Sequence, residues 1–316
     1  MTRQSKPRIA ITLGDPGGIG PEVVCKALLS LGNTPFEPVI VGPASVLGHL
    51  GELGKSIRQH PTLMSAWIDV GSADLTLGNT SRHNAQAAVT TLELATEMAM
   101  ENKVDALVTG PIHKSCFSLL DMPHTGHTTY LKTKTHTPSV RMAFTSPKLR
   151  VMLTTIHHPL SAVPLLLTPA MLTETFEKAL DFAKLLRIPI PRIAVAGLNP
   201  HAGEDSRFGR EEIEILSPAV AAFNHPSITG PYAADSLFHR AYQGEFDIVI
   251  AMYHDQGLIP LKLLAFDDAV NVTVGLPFVR TSPDHGTAFD IAYQDKANPR
   301  SMLEAIRLAA QLCRTP

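Results

Sequence analysis

DIVIAMYHDQGLIPLK, residues 247–262, changes character part-way along. Ile248, Val249, Ile250, Ala251 and Met252 make the short unbroken apolar run of a strand covered on both faces, as in a parallel sheet. Polar residues begin where that run stops, at His254-Asp255-Gln256-Gly257, where the chain is expected to turn before continuing to Lys262. In open α/β sheets ligands bind just beyond the carboxyl ends of strands, so a His-Asp pair at that point is a candidate site. For His254 alone, the simpler account is a loop histidine bonded to the backbone.

The same pattern recurs. RVMLTTI (150–156) ends in His157-His158-Pro159, and RIAVAG (192–197) leads into LNPHAGE, which carries His201. Because neighbouring strand side chains point to opposite faces, one of His157 and His158 is expected to face a given site. VDALVT (104–109) similarly delivers His113 and Lys114. Three strands ending in His157, His201 and His254 are hard to attribute to loop composition. Three neutral imidazoles with one position open are the inner shell of a catalytic divalent metal such as zinc. Spacing over about a hundred residues does not by itself bring them together, unlike a compact HExxH. Lys262, Arg280 and Asn271 supply cations and an amide suited to an anion, with solvated or ion-paired side chains as the alternative.

The rest of the chain fits one architecture. Helical spacing of apolar residues over 84–101, 169–186 and 301–313 alternates with short apolar runs at 8–13, 38–41, 104–109, 150–156, 192–197 and 269–274. That alternation predicts an α/β fold with a largely parallel sheet, either one large unit or two domains sharing a sheet. With a net charge of −2 and no basic stripe, nothing suggests a nucleic-acid partner. No run approaches the roughly 20 apolar residues of a membrane span. The opening MTRQSKPR precedes too brief an apolar run for a secretory leader, and three dispersed cysteines suit a reducing cytoplasm.

GDPGGIGPE (14–22) turns the first strand into a helix, and two readings stand: a tight turn, or a loop holding an anion on its free N–H groups. It is not GxGxxG, and the next strand ends in Gly42-Pro43 where a ribose-binding acid would stand, so a Rossmann fingerprint is excluded. GHTTYL (126–131) is likewise a phosphate loop or a turn.

GDPGGIGPE, VTGPIHK, GHTTYL, GLNPHAGE, AMYHDQGL and NVTVGLPFVRTSPDHGTAFDIA, in this order, resemble the PdxA family, the 4-hydroxythreonine-4-phosphate dehydrogenases of vitamin B6 biosynthesis. The resemblance implies a fold like isocitrate and isopropylmalate dehydrogenases: three α/β/α layers and two interlocked subdomains sharing a mixed, largely parallel sheet. One subdomain is expected at 1–135 plus 290–316, and the other, with metal, substrate and dimer contacts, at 136–289. It implies NAD or NADP and one divalent ion (zinc, magnesium or cobalt) as cofactors, and a cytoplasmic homodimer with its active site at the subunit boundary.

Carried over residue by residue, His157, His201 and His254 match metal ligands, and His127, Thr128, Lys262, Asn271 and Arg280 match substrate contacts. Cofactor-binding residues are not assigned. For the proton acceptor, Lys262 is the first candidate and Asp235 or Asp255 the second, since burial beside a metal and cations depresses a lysine pKa. The implied reaction oxidises 4-phosphohydroxy-L-threonine at the C3 hydroxyl. The chain departs from the family pattern at Thr129, at Ala233–Ser236, at His158 and at Tyr293. Those departures keep 4-phospho-D-erythronate and 4-phospho-D-threonate open as substrates, while Lys262, Asn271 and Arg280 favour a phosphorylated substrate over a cis-dihydrodiol. A metal-dependent hydrolase or lyase, or a non-catalytic phosphometabolite-binding protein, are the rival classes.

Overall fold

Ile248, Val249, Ile250 and Ala251 are fully buried, as a run apolar on both faces requires, and they form one strand of a layered α/β structure. Burying each such branched side chain contributes about 1.5–3 kcal/mol, so runs of this kind locate the sheet. The computed structural model describes residues 6–32, 34–71 and 74–313. Its strands are β1 (Arg8–Thr12), β2 (Glu37–Val41), β3 (Trp67–Ile68), β4 (Ala106–Thr109), β5 (Arg141–Thr145), β6 (Arg150–Leu153), β7 (Ile193–Ala196), β8 (Ile228–Tyr232), β9 (Ile248–Ala251), β10 (Val270–Val274) and β11 (Val279–Pro283).

The chain divides into two compact units. One runs up to Pro138 and resumes at Leu276, and the other is Ser139–Gly275. The second crossing therefore falls fourteen residues before the expected 289/290 boundary. The reason is β11: Val279, Arg280 and Thr281 pair in parallel with Ala106, Leu107 and Val108 of β4, which brings Arg280 into the first unit.

In the first unit β3, β2, β1, β4 and β11 follow one another, all parallel. The helix Arg82–Met100 covers this sheet through Val89, Leu92, Ala95 and Ala99, which join Val39, Val41 and Leu107 in one core cluster. GDPGGIGPE is a packed turn here. Gly14 has φ +74°, and a Cβ on it would stand 2.2 Å from the Pro111 carbonyl oxygen.

In the second unit the order is β10, β5, β6, β9, β7, β8, with antiparallel pairing at β10–β5 and β5–β6 and parallel pairing from β6 onward. The strands that precede His157, His254 and His201 are β6, β9 and β7, three parallel neighbours, so their carboxyl ends lie side by side.

The segment after β9 does not turn. His254–Ala265 is one helix that includes Gly257 and Pro260. Gly257 is buried against the sheet, where a Cβ would meet Val151 Cγ1 at 2.6 Å and Leu153 Cδ2 at 2.9 Å. The glycine thus serves close helix–sheet packing, and Lys262 stands about 12 Å along the helix axis from His254, at 1.5 Å per residue. Among the described residues no helix is long and apolar enough to cross a membrane.

Candidate functional site

In the second unit, β6 and β9 end beside each other and carry their histidines into one cavity of about 470 Å³. It is lined by Ile156, His157, His158, Leu160, Val163, Tyr253, His254 and Asp255. The strand-alternation argument for His157 and His158 fails because β6 stops at Leu153, four residues earlier, and both rings line the cavity. The rings of His157 and His254 lie 5.7 Å apart between centroids. That spacing is within reach of two imidazole nitrogens binding a common ion at the usual length of about 2.1 Å.

His254 Nδ1 is 2.7 Å from Asp255 Oδ1. A neutral imidazole facing an ionised carboxylate in this way carries its proton on Nδ1 and presents the lone pair of Nε2, the carboxylate–histidine arrangement typical of metal ligands. The chemistry of these donors therefore fits a divalent ion.

His201 sits after β7 on an exposed loop, its ring 6.0 Å from that of Phe208. Among the described residues no three His, Cys, Asp or Glu side chains lie close enough to hold one ion, so a single chain joins two of the three expected ligands and not the third.

Lys262 is half-buried on the helix that starts at His254, its Nζ 5.8 Å from the Phe266 ring. Asp255 is exposed and engaged with His254. Asp235 is exposed in the first turn of the helix Ala234–Tyr242, where its Oδ1 accepts from Ser236 N–H at 2.8 Å. Asn271 on β10 is half-buried, and its covered Oδ1 has no hydrogen-bond partner.

The first unit gathers a different chemistry. Arg280 on β11 is buried, and its Nη2 donates to Thr109 Oγ1, at the end of β4, at 2.6 Å. Burial pushes the guanidinium down to about 10, which still leaves it charged at neutral pH. His127 and Thr128 open the helix His127–Lys134, behind Gly126. The first N–H groups of a helix have no partner inside it and favour negative charge. His127 Nε2 is covered and has no hydrogen-bond partner. Desolvation, and after it the charge of Arg280, holds the ring well below its usual pKa, so it is neutral at pH 7. A buried guanidinium, a neutral imidazole and a helix start make an anion-receiving arrangement.

Nearby, Asp15 is fully buried, accepting from Gly17 N–H at 2.9 Å and from Cys116 Sγ at 3.3 Å, and burial raises its carboxyl pKa. Its bonds anchor the GDPGG turn. His113 Nδ1 pairs with Ser115 Oγ at 2.6 Å, and its ring lies 5.6 Å from that of Phe289.

Residues 36–309 match the family described as "Pyridoxal phosphate biosynthetic protein PdxA". The chain belongs to the PdxA family. It is 41% identical to a 4-hydroxythreonine-4-phosphate dehydrogenase of Desulforapulum autotrophicum, over 97% of this chain and 95% of the relative. It is 40% identical to a D-threonate 4-phosphate dehydrogenase of Salmonella typhimurium, over 96% of this chain and 98% of the relative. The crystal structure of 4-hydroxythreonine-4-phosphate dehydrogenase from Klebsiella pneumoniae superposes with a TM-score of 0.86 at 38% identity, covering 98% of this chain and all of that one. As a PdxA protein the chain is a dehydrogenase, and its α/β architecture is that of the family.

Sequence reasoning missed Thr109 as the partner of Arg280, and gave no role to Glu212 or Gln256. Glu212 is buried in a short π-helix at Glu212–Leu216, a feature frequent near functional sites but without a local sequence mark.

Proposed function

We propose that this chain oxidises 4-phosphohydroxy-L-threonine at its C3 hydroxyl, using NAD or NADP and one divalent ion (zinc, magnesium or cobalt). The product is 2-amino-3-oxo-4-phosphooxybutanoate, which loses carbon dioxide to give 3-amino-2-oxopropyl phosphate. The observation that carries a phosphorylated substrate is buried Arg280 beside the covered Nε2 of His127 at a helix start. Arg280, His127 and Thr128 bind the phosphate, and Asn271 offers its unpartnered amide oxygen to a donor on the substrate. Because the phosphate is remote from the reacting carbon, these contacts orient the substrate.

His157, His254 and His201 hold the ion, and Asp255 fixes the His254 tautomer rather than acting as a base. Bound there, a divalent ion would supply Lewis acidity toward the substrate hydroxyl, and a nicotinamide would supply the hydride acceptor. Lys262 takes the hydroxyl proton at Nζ.

We assign the third ligand to a second copy in a homodimer. Two observations support a copy there. His201 does not join the pair within one chain. The helix carrying His254 also leaves Ile259 and Leu263 largely exposed, with Phe266 at its end and Leu160 at the cavity, an apolar surface of the kind that pairs subunits.

The second reading, oxidation of D-threonate 4-phosphate, is supported by the Salmonella relative at 40% identity. NADH formation from 4-phosphohydroxy-L-threonine, D-threonate 4-phosphate and D-erythronate 4-phosphate, each with and without chelator, separates them. The highest kcat/KM is expected with the first substrate, lost on metal removal and restored by adding the ion back. Full turnover after complete chelation would sink the metal-dependent reading, and turnover without nucleotide would point to a hydrolase or lyase.

A further inference from the structure

The three histidine-bearing strand ends are tied together by side-chain hydrogen bonds. Met252, two residues before His254, is held from both sides. Its N–H donates to Gln256 Oε1 at 2.7 Å, and its carbonyl accepts from Thr155 Oγ1 at 2.7 Å. Thr155 lies two residues before His157, so this bond links the ends of β9 and β6. Gln256 then reaches the other way, its Nε2 donating to the Gly197 carbonyl at 2.6 Å, which links β9 to the root of the His201 loop.

That loop is held from beneath by buried Glu212. Its Oε1 accepts from both Leu198 N–H and Asn199 N–H at 2.7 Å, and its Oε2 accepts from Asn199 Nδ2 at 2.9 Å. The backbone closes round this carboxylate: a Cβ on Gly203 would stand 2.8 Å from Glu212 Oε2. Beyond it, six consecutive residues, His201, Ala202, Gly203, Glu204, Asp205 and Ser206, have positive φ. Left-handed backbone is unfavourable for each non-glycine residue there, so the conformation persists only where the surroundings over-determine it.

We propose that Gln256, with Glu212, is a positioning residue: Gln256 sets the spacing of His157 and His254 within one chain, and Glu212 sets the aim of the loop that offers His201 to the pair of a second copy. Gln256 fixes His254 against both neighbouring strand ends, and Glu212 holds the strained loop in the one shape that presents His201. This rests on the metal reading proposed above. Gln256 fits the part because its amide offers an acceptor to Met252 and a donor to Gly197 at once, which neither a carboxylate nor an aliphatic side chain does.

The test is titration of metal-free full-length protein with cobalt(II), followed by its visible absorption, alongside thermal unfolding. Gln256→Met keeps the length and loses both bonds. Expected are cobalt binding weakened about tenfold or more, in line with outer-shell substitutions at metal sites, and changed visible bands. Glu212→Gln, which turns a donor toward Asn199 Nδ2, is expected to act in the same direction. Wild-type cobalt affinity and spectrum in Gln256→Met, even with a lowered melting temperature, would overturn the proposal by showing a structural role only. Should Gln256→Met not fold, Gln256→Glu, which retains the acceptor toward Met252 and loses the donor toward Gly197, carries the same criterion. His254→Ala serves as the control: if it binds cobalt as the wild type does, the metal reading itself has failed, whatever Gln256 does.

Discussion

Gly257→Ala puts the packing of the His254 helix to a quantitative test. In an exposed helix the change stabilises by about 1 kcal/mol, because alanine is the better helix former. Here the new methyl would stand 2.6 Å from Val151 Cγ1, 2.9 Å from Leu153 Cδ2 and 3.1 Å from the Ala251 Cβ. Ordinary carbon contacts lie near 3.5–4.0 Å, so the helix must lift by about 1 Å. Val151, Leu153 and Ala251 are all fully buried strand residues and have little room to retreat. Overpacking of this kind costs about 1–3 kcal/mol, and three rigid neighbours put the site near the upper end. Subtracting the helix gain leaves a net loss of about 2 kcal/mol. The same lift displaces His254, three residues away, and a misplacement of about 1 Å costs up to about a hundredfold in rate. Denaturant unfolding and steady-state turnover read the two effects. A variant that gains about 1 kcal/mol and keeps full activity would refute the reasoning, since the methyl would then have met open space.

Two further substitutions probe the anion-receiving group. Arg280→Lys retains a charge but loses the planar fork, and one charge-assisted hydrogen bond is worth about 1.5–3 kcal/mol. KM for the phosphorylated substrate should therefore rise about 10- to 150-fold with kcat changed much less, and an unchanged KM would remove Arg280 from the phosphate. His127 has its pKa well below the ordinary 6.5, through desolvation first and Arg280 second. The folded state thus resists its protonation: the stability is present above about pH 6.5 and is lost as pH falls below it. Wild-type protein should lose stability relative to His127→Gln as pH drops from 7.5 to 5, by at most about 1.4 kcal/mol per pH unit. Parallel unfolding midpoints across that range would contradict the assigned environment.

The histidine-bearing strand ends were legible because unbroken apolar runs mark buried parallel strands, and β6, β7 and β9 are such runs. β11 was not, since Val279–Pro283 carries an arginine, a threonine and a serine and has no strand periodicity until it is seen beside β4. The helix from His254 was hidden by Gly257 and Pro260, two residues that local propensity assigns to a turn. Packing overrode propensity there, which only the distances to Val151 and Leu153 reveal. Glu212 and Gln256 were invisible for another reason. Their partners lie 13 and 59 residues away, and nothing in an isolated glutamate or glutamine announces which backbone groups it will meet.

The group proposed to bind phosphate and the group proposed to bind metal solve opposite electrostatic problems. A phosphate needs fixed positive charge, and Arg280 keeps its charge despite burial because a guanidinium lowered only to about 10 remains protonated near pH 7. A metal needs an imidazole nitrogen with its lone pair turned outward, and Asp255, 2.7 Å from His254 Nδ1, orients the ring for that. The buried arginine supplies charge, and the aspartate supplies orientation.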